Sequence, residues 1–308
     1  MLVVLTGGTG GAKLIQGLSH EVDPAELTIV CNTADDFILH GLYICPDIDT
    51  ITYTLAGVSD DAKGWGINSD TFTLLEQLEK YGCETWFKLG DKDLATHIAR
   101  TKRMREGLTL SQVTDELRRS LGVQATVIPM SNDKVQTRVI TDDGELSFQE
   151  FFVRERWAPE VKAVAYSGIE ESRPAPGLIN GILQATGIVI CPSNPVTSIG
   201  PILAVPGIRP ALKETKAPVL GISPIIQNAP VSGPAHKLMS AQGSEVSAFG
   251  VAKLYADLLD RWFIATEDEK HAGNIETLGI KVVATSIRMD ALSDKRRLAR
   301  ELLAFIKI

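Results

Sequence analysis

The sequence predicts an α/β protein, a Rossmann-like, doubly wound and mostly parallel sheet with an inserted α+β subdomain. Three observations lead there. Short apolar runs alternate with stretches of helical periodicity from the first residues onward. A glycine turn joins the first apolar run to the first helical stretch. Polar or turn residues follow directly on most of the apolar runs, at the strand ends where open α/β sheets place their ligands.

Leu2–Leu5 reads as a buried strand, Gly7–Gly11 as the turn, and Ala12–Leu18 as the first helix. Leu27–Cys31 is the second strand, so strand, crossover helix and strand make a parallel βαβ unit. The chain from about Asp49 to Leu121 reads mostly helical, with Thr50–Leu55 helical, Asp91 as the cap of a helix through Arg103, and Ser111 as the cap of another to Leu121. Ala125–Ile128, Val135–Ile140 and Glu145–Phe148 follow as short strands, the last two joined by the Asp142-Asp143-Gly144 hairpin turn. Val161–Ala165, Gly187–Cys191 and Pro218–Gly221 are further strands, with a helix over Ala175–Ala185. Trp262–Ala265 and Lys281–Ala284 are late strands, and Leu292–Ile306 is an amphipathic terminal helix. The whole chain, 1–308, is expected to be one Rossmann-like domain, with 85–160 inserted as a decoration of its sheet.

Composition narrows the function. The chain has 308 residues, 44% hydrophobic and 22% charged, which excludes wholesale disorder. Its 31 Lys and Arg against 38 Asp and Glu give a net charge of −7, opposite to what coating a nucleic acid requires, so no nucleic-acid partner is expected. No window approaches the roughly 18 consecutive apolar residues of a membrane span, and no signal peptide is expected. Cys31, Cys45, Cys83 and Cys191 lack C-x-x-C spacing; they read as ordinary buried, reduced thiols of a cytoplasmic protein.

Five clusters carry the chemistry. In Gly7-Gly8-Thr9-Gly10-Gly11-Ala12-Lys13, amides at a helix N-terminus form an anion site, with Thr9 and Lys13 as added donors; the alternative is a tight strand-to-helix turn. Neither a dinucleotide fingerprint nor a P-loop fits, because Lys13 takes the third glycine position and Leu14 that of Ser/Thr. Asp35, Asp36, Asp47 and Asp49, with His40 nearby, crowd acid beside this loop, which calls for a cation such as Mg²⁺; each Asp alone also reads as a cap or Asx turn. Lys88 begins a third cluster that ends at Thr96-His97, where a lone His97 reads as structural. Ser193-Asn194-Pro195 through Pro201 and the stretch from Ser223-Pro224 to Pro234 are rigid loops with free hydroxyls and amides to bind a nucleotide, or simply ST-turns.

Together these motifs resemble the 2-phospho-L-lactate transferase family of coenzyme F-420 biosynthesis. The resemblance covers almost the whole chain: Gly7–Lys13, Asn32-Thr33-Ala34-Asp35-Asp36, His40-Gly41, Cys45-Pro46-Asp47-Ile48-Asp49-Thr50, Gly64-Trp65-Gly66-Ile67, Leu89–His97, Phe148–Phe152 and both proline loops. It implies that the ribityl hydroxyl of the deazaflavin Fo attacks the phosphorus of a lactyl- or enolpyruvyl-diphosphoguanosine donor, and GMP leaves. It implies Asp49 and Lys88 as acceptor-binding residues, with Asn32, Thr33, Asp36 and Thr50 in the same cleft. Gly8, Thr9, Gly10, Gly11, Lys13, Ser193, Asn194, Thr197 and Ser223 would serve the nucleotide and phosphates. Asp35 and Asp49 would act on the reacting groups, either by holding Mg²⁺ or by orienting the hydroxyl. Trp65, Tyr53 or Ile67 would wall the flat ring. A homodimer is expected. The competing reading is a non-enzymatic regulatory protein that binds a nucleotide sugar, which shares the glycine loop but has no use for a deazaflavin pocket.

Overall fold

The computed structural model describes residues 1–60 and 62–306. Its centre is a seven-stranded, wholly parallel sheet. In chain order the strands are β1 (Leu2–Thr6), β2 (Leu27–Cys31), β3 (Thr126–Pro129), β4 (Gly187–Ile190), β5 (Val219–Ile222), β6 (Arg261–Ala265) and β7 (Lys281–Thr285). Their spatial order is β7-β6-β5-β4-β1-β2-β3. The chain winds outward from β1 in one direction, then restarts at β4 and winds outward in the other. β1 and β4 are therefore the topological switch point, and the crevice beyond their carboxyl ends is where such a fold binds ligands.

Both faces of this sheet are covered, so its inner strands carry no polar alternation. Every residue of β1, β4 and β5 is buried. Alternate residues serve opposite cores: Val3 and Leu5 pack with Trp262 and the helices at Ile202 and Val251, whereas Leu2 and Val4 pack with Leu14, Leu18 and Leu298. The second core is closed by helix α1 (Thr9–Ser19) against the terminal helix Leu292–Leu303. Close approach sets the residue choice at Gly17, where a Cβ would stand 2.2 Å from the Lys295 carbonyl oxygen.

Several elements depart from the sequence expectation for identifiable reasons. The segment 85–160 does not merely decorate the sheet, because β3 pairs in parallel with β2 and extends it. The run at Val161–Ser167 leaves the central sheet and forms a small antiparallel one with Gln136–Thr141 and Gly144–Ser147. Helix Leu178–Leu183 is shorter than Ala175–Ala185 because Gly177 is left-handed at its N-cap. Thr109, not Ser111, caps helix Leu110–Ser120 through a capping box with Gln112, while Ser111 binds the Asn132 side-chain oxygen. Asp91 caps its neighbour, accepting from the amides of Thr73 and Leu74. Asp70 returns the service to helix Asp91–Arg105 through Lys92 and Asp93. A hairpin, Phe37–Leu39 with Leu42–Ile44, is additional; its turn needs His40 and Gly41 both at positive φ.

The glycine turn enters the helix earlier than expected, at Thr9. Gly11 faces inward, and a Cβ there would lie 1.8 Å from Thr6 Oγ1 and 3.0 Å from Ser193 Oγ. Gly11→Ala is therefore expected to destabilise the protein by about 1–3 kcal/mol through overpacking. Urea denaturation measures this, and an unchanged midpoint would show that the strand end yields freely.

Candidate active site

Beyond the ends of β1 and β4 lies a cavity of about 340 Å³. One side is polar: Gly8, Thr9 and Gly10 from the glycine turn, Asp35 from the loop after β2, and Ser193, Asn194 and Thr197 from the loop after β4. Helix α2 (Pro46–Leu55) adds Asp47, Asp49 and Thr50, and Lys88 and His97 complete this side. The remaining side is apolar, formed by Tyr53, Trp65, Phe87, Phe148, Phe152 and prolines of the 224–234 loop. Phe148 and Phe152 stack with ring centroids 5.4 Å apart. Two short π-helical turns, Glu150–Arg154 and Pro195–Ile199, border the cavity; such turns recur at functional sites.

The polar floor is organised by one amide. Asn32, fully buried at the end of β2, donates through Nδ2 to Asp35 Oδ2 at 3.1 Å, Asp47 Oδ2 at 3.0 Å and the Thr197 carbonyl at 3.1 Å. Its Oδ1 accepts from the Ala34 amide. Asn32 is thus a framework residue behind the cavity rather than part of its lining. Burial, reinforced by the neighbouring Asp47 charge, raises Asp35 well above the carboxylate range. Burial also lifts Asp47 to about 6, against the opposing pull of the Asn32 side chain and the Gly8 amide.

Asp49 is placed differently. Both its oxygens are held by the guanidinium of Arg100, Nη1 donating to Oδ2 at 3.0 Å and Nη2 to Oδ1. The carboxylate that shares the floor with Asp35 is consequently Asp47, not Asp49 as the sequence suggests. This arrangement also settles the capping alternative for Asp49: α2 begins at Pro46, and Asp49 lies within its first turn bound to Arg100.

The cavity gathers most of the expected residues but not all. Thr33 is buried beneath it, and Asp36 faces a separate cavity with Tyr43 and Trp86. Gly11 is packed against Thr6. Lys13 is exposed on α1 and absent from the lining. Ser223 is fully buried and spends its hydroxyl in an ST-turn with Ile225. Ser193 lines the cavity while accepting from the Gly7 amide at 3.1 Å, and Asn194 caps the turn at Val196 and Thr197. Trp65 and Tyr53 supply the apolar wall, and Ile67 does not. Cys31, Cys45 and Cys191 are buried free thiols, whereas Cys83 is exposed. Sequence reasoning missed the floor role of Asp47 and the whole of Arg100. The proline at the first position of α2 was the available signal for Asp47, since it fixes where the helix starts.

Among the described residues, no helix is long and apolar enough to cross a membrane. The sequence profile of the 2-phospho-L-lactate transferase CofD family matches residues 2–302. A phosphoenolpyruvate transferase of Streptomyces griseus is 43% identical, over 98% of this chain and 97% of its own. A 2-phospho-L-lactate transferase of Methanothermobacter thermautotrophicus is 42% identical, over 99% and 98%. A crystal structure of a UPF0052 family member from Bacillus halodurans superposes with a TM-score of 0.67 over 98% of each chain, at 18% identity, which speaks for the fold alone.

The elevated Asp47 has a measurable consequence. Unfolded, it titrates near 3.8; folded, near 6. The folded chain holds this proton longer, so stability falls as pH rises between those values and levels above them. The stability of Asp47→Asn relative to wild type should therefore grow from pH 4 to pH 6 by on the order of 2 kcal/mol. Denaturant titrations across that window, without divalent cations, check it; a pH-independent difference would contradict the burial argument.

Proposed function

The chain belongs to the 2-phospho-L-lactate transferase family and is a transferase, and from this we propose that it makes the phosphodiester of a coenzyme F-420 precursor. The donor is a guanosine diphosphate ester of lactate or enolpyruvate, the acceptor is the ribityl hydroxyl of Fo, and GMP is released. The observation that carries the reading is the composition of one cavity. An anion-binding helix N-terminus, an acidic floor and the expected acceptor residues Asp49 and Lys88 line the same space, which is elsewhere aromatic and proline-rich. A tricyclic, mostly apolar acceptor fits that second half, and a nucleotide-sugar sensor has no need of it.

The reaction is a substitution at phosphorus. The acceptor oxygen forms a bond to the phosphorus bearing the three-carbon acid, the bond from that phosphorus to the GMP oxygen breaks, and the hydroxyl proton passes to solvent. Protein contributes mainly positioning and charge in such transfers. The amides of Thr9 and Gly10, in the first turn of α1, would receive diphosphate oxygens, while Gly7 and Gly8 are already committed to Ser193 and Asp47. Lys88 adds positive charge at the rim. Asp49 would accept the attacking hydroxyl's proton in a hydrogen bond and so aim its oxygen at phosphorus.

The floor suits a hard divalent cation. Asp35 Oδ1 and Thr197 Oγ1 are buried there without partners, and two carboxylates so close together favour a positive charge between them. Asp35 and Asp47 would hold Mg²⁺, which when bound would offset diphosphate charge and stabilise the departing GMP.

Purified protein given Fo, donor and Mg²⁺ should release GMP in proportion to Fo consumed, and EDTA should stop it. Asp49→Asn should lower turnover by roughly 10²–10³-fold. Because it leaves the buried Arg100 guanidinium without its counter-charge, it should also lower the thermal midpoint, and turnover is read well below that midpoint. Product chromatography reads both. GMP release that ignores Fo would turn the assignment toward simple hydrolysis, and tight nucleotide-sugar binding without Fo binding would favour the sensor.

A further inference from the structure

Two helices meet in the cavity wall through a set of charged and polar side chains. Helix α2 offers Asp49 and Tyr53, four residues apart on one face. Helix Asp91–Arg105 offers Asp93, His97 and Arg100, again on one face. Arg100 is 0% exposed. Besides both oxygens of Asp49, its Nη1 reaches the Tyr43 carbonyl at 3.3 Å and His97 Nδ1 at 3.3 Å. His97 Nε2 stands 3.3 Å from Asp93 Oδ2, and the Tyr53 hydroxyl donates to Asp93 Oδ1 at 2.7 Å. Burial acts to raise Asp93, but His97, Tyr53 and Arg100 outweigh it and keep the acid below its ordinary range.

Packing does not require such a seam. Desolvating a guanidinium costs several kcal/mol, and apolar residues of equal volume commonly hold two helices as well or better. What hydrocarbon cannot do is fix both oxygens of a carboxylate at once, which the planar fork of arginine does. Asp49, Asp93 and His97 also converge within 4.8 Å, a spacing open to a metal ion. The guanidinium on both Asp49 oxygens already supplies the positive charge there. His97 Nδ1 lies 3.3 Å from the Arg100 guanidinium, and Nε2 faces the Asp93 carboxylate at 3.3 Å without a well-formed hydrogen bond, so the ring is held among charges that also hold Arg100.

We propose that Arg100 is a positioning residue for the transfer, its fork setting from behind the cavity wall the angle at which Asp49 meets the acceptor hydroxyl, with His97, Asp93 and Tyr53 flanking it in that wall. This rests on the reading of Asp49 as the acceptor's anchor. It predicts a split between substrates: the seam touches the acceptor side of the cavity through Asp49, and the nucleotide side is built by the glycine turn and the Ser193 loop.

The test is steady-state kinetics of Arg100→Lys, whose ammonium keeps the charge but loses the fork. The expected result is a fall of about 10²-fold in kcat/KM for Fo, with the donor KM within about threefold of wild type. Because Arg100→Met leaves a buried carboxylate unpaired, it is compared with the charge-neutral pair Arg100→Met/Asp49→Asn. The pair should regain the thermal midpoint lost in Arg100→Met and remain inactive. Acceptor kcat/KM in Arg100→Lys within about threefold of wild type would overturn the proposal, as would a donor KM raised by about tenfold or more, the mark of a purely structural residue. A wild-type protein without Fo-dependent GMP release would bring down the transferase reading and this assignment together. Normal wild-type turnover with an unaffected Arg100→Lys brings down this assignment alone.

Discussion

Two acids that repel each other are kept together by one buried amide, and the rest of the site is arranged around that constraint. Asn32 spans the loop after β2, the first turn of α2 and the loop after β4, three segments far apart in sequence. A neutral amide serves both carboxylates and a carbonyl from one nitrogen by sharing one of its two hydrogens between two of the three acceptors. An Asp there would add a third buried negative charge, and a Ser would fall short of the reach. The result is a floor with more acceptor capacity than the protein satisfies, as the free Asp35 Oδ1 and Thr197 Oγ1 show. A buried polar group without a partner costs free energy unless a ligand completes it.

The glycines belong to the same constraint. A Cβ on Gly8 would stand 2.8 Å from Asp47 Oδ1, on Gly10 2.7 Å from the Pro192 carbonyl, and on Gly7 2.2 Å from Ser198 Oγ. Each marks a place where the first turn of α1 presses on one of the other site segments. Their function is close approach more than conformational freedom, since none of the three has positive φ. Reading the run simply as a phosphate loop understates this, because the Gly7 and Gly8 amides bind protein and only the next amides remain.

How much of this was legible in the sequence follows from how local each feature is. The inner strands of the central sheet appear as apolar runs because both their faces are buried, a property of each run by itself. The glycine turn, Asp35, Asp49 and Lys88 stood out because unusual residues follow directly on strand ends or in dense motifs. Arg100 did not, since an arginine ahead of Lys102, Arg103 and Arg105 looks like one more solvated charge, and only the facing helix shows it to be buried. Ser223 failed in the opposite way: its hydroxyl is satisfied two residues on by Ile225, which no spacing rule distinguishes from a free one. The extra hairpin at Phe37–Ile44 was hidden by its length, three residues a side.

The division of labour between Asp47 and Asp49 follows from a single helix boundary. Successive residues of an α-helix are turned by about 100°, so two residues apart they point to nearly opposite sides. If α2 began at Thr50, both acids would lie in a loop, free to converge on one ion. Because Pro46 starts the helix, Asp47 is turned toward Asn32 and Gly8, and Asp49 toward Arg100. Three residues of sequence thereby supply two chemically distinct carboxylates. One lies in a crowded acidic pocket that raises its proton affinity, and the other is clamped by a guanidinium on both oxygens. The proline that sets the helix start is what separates the two.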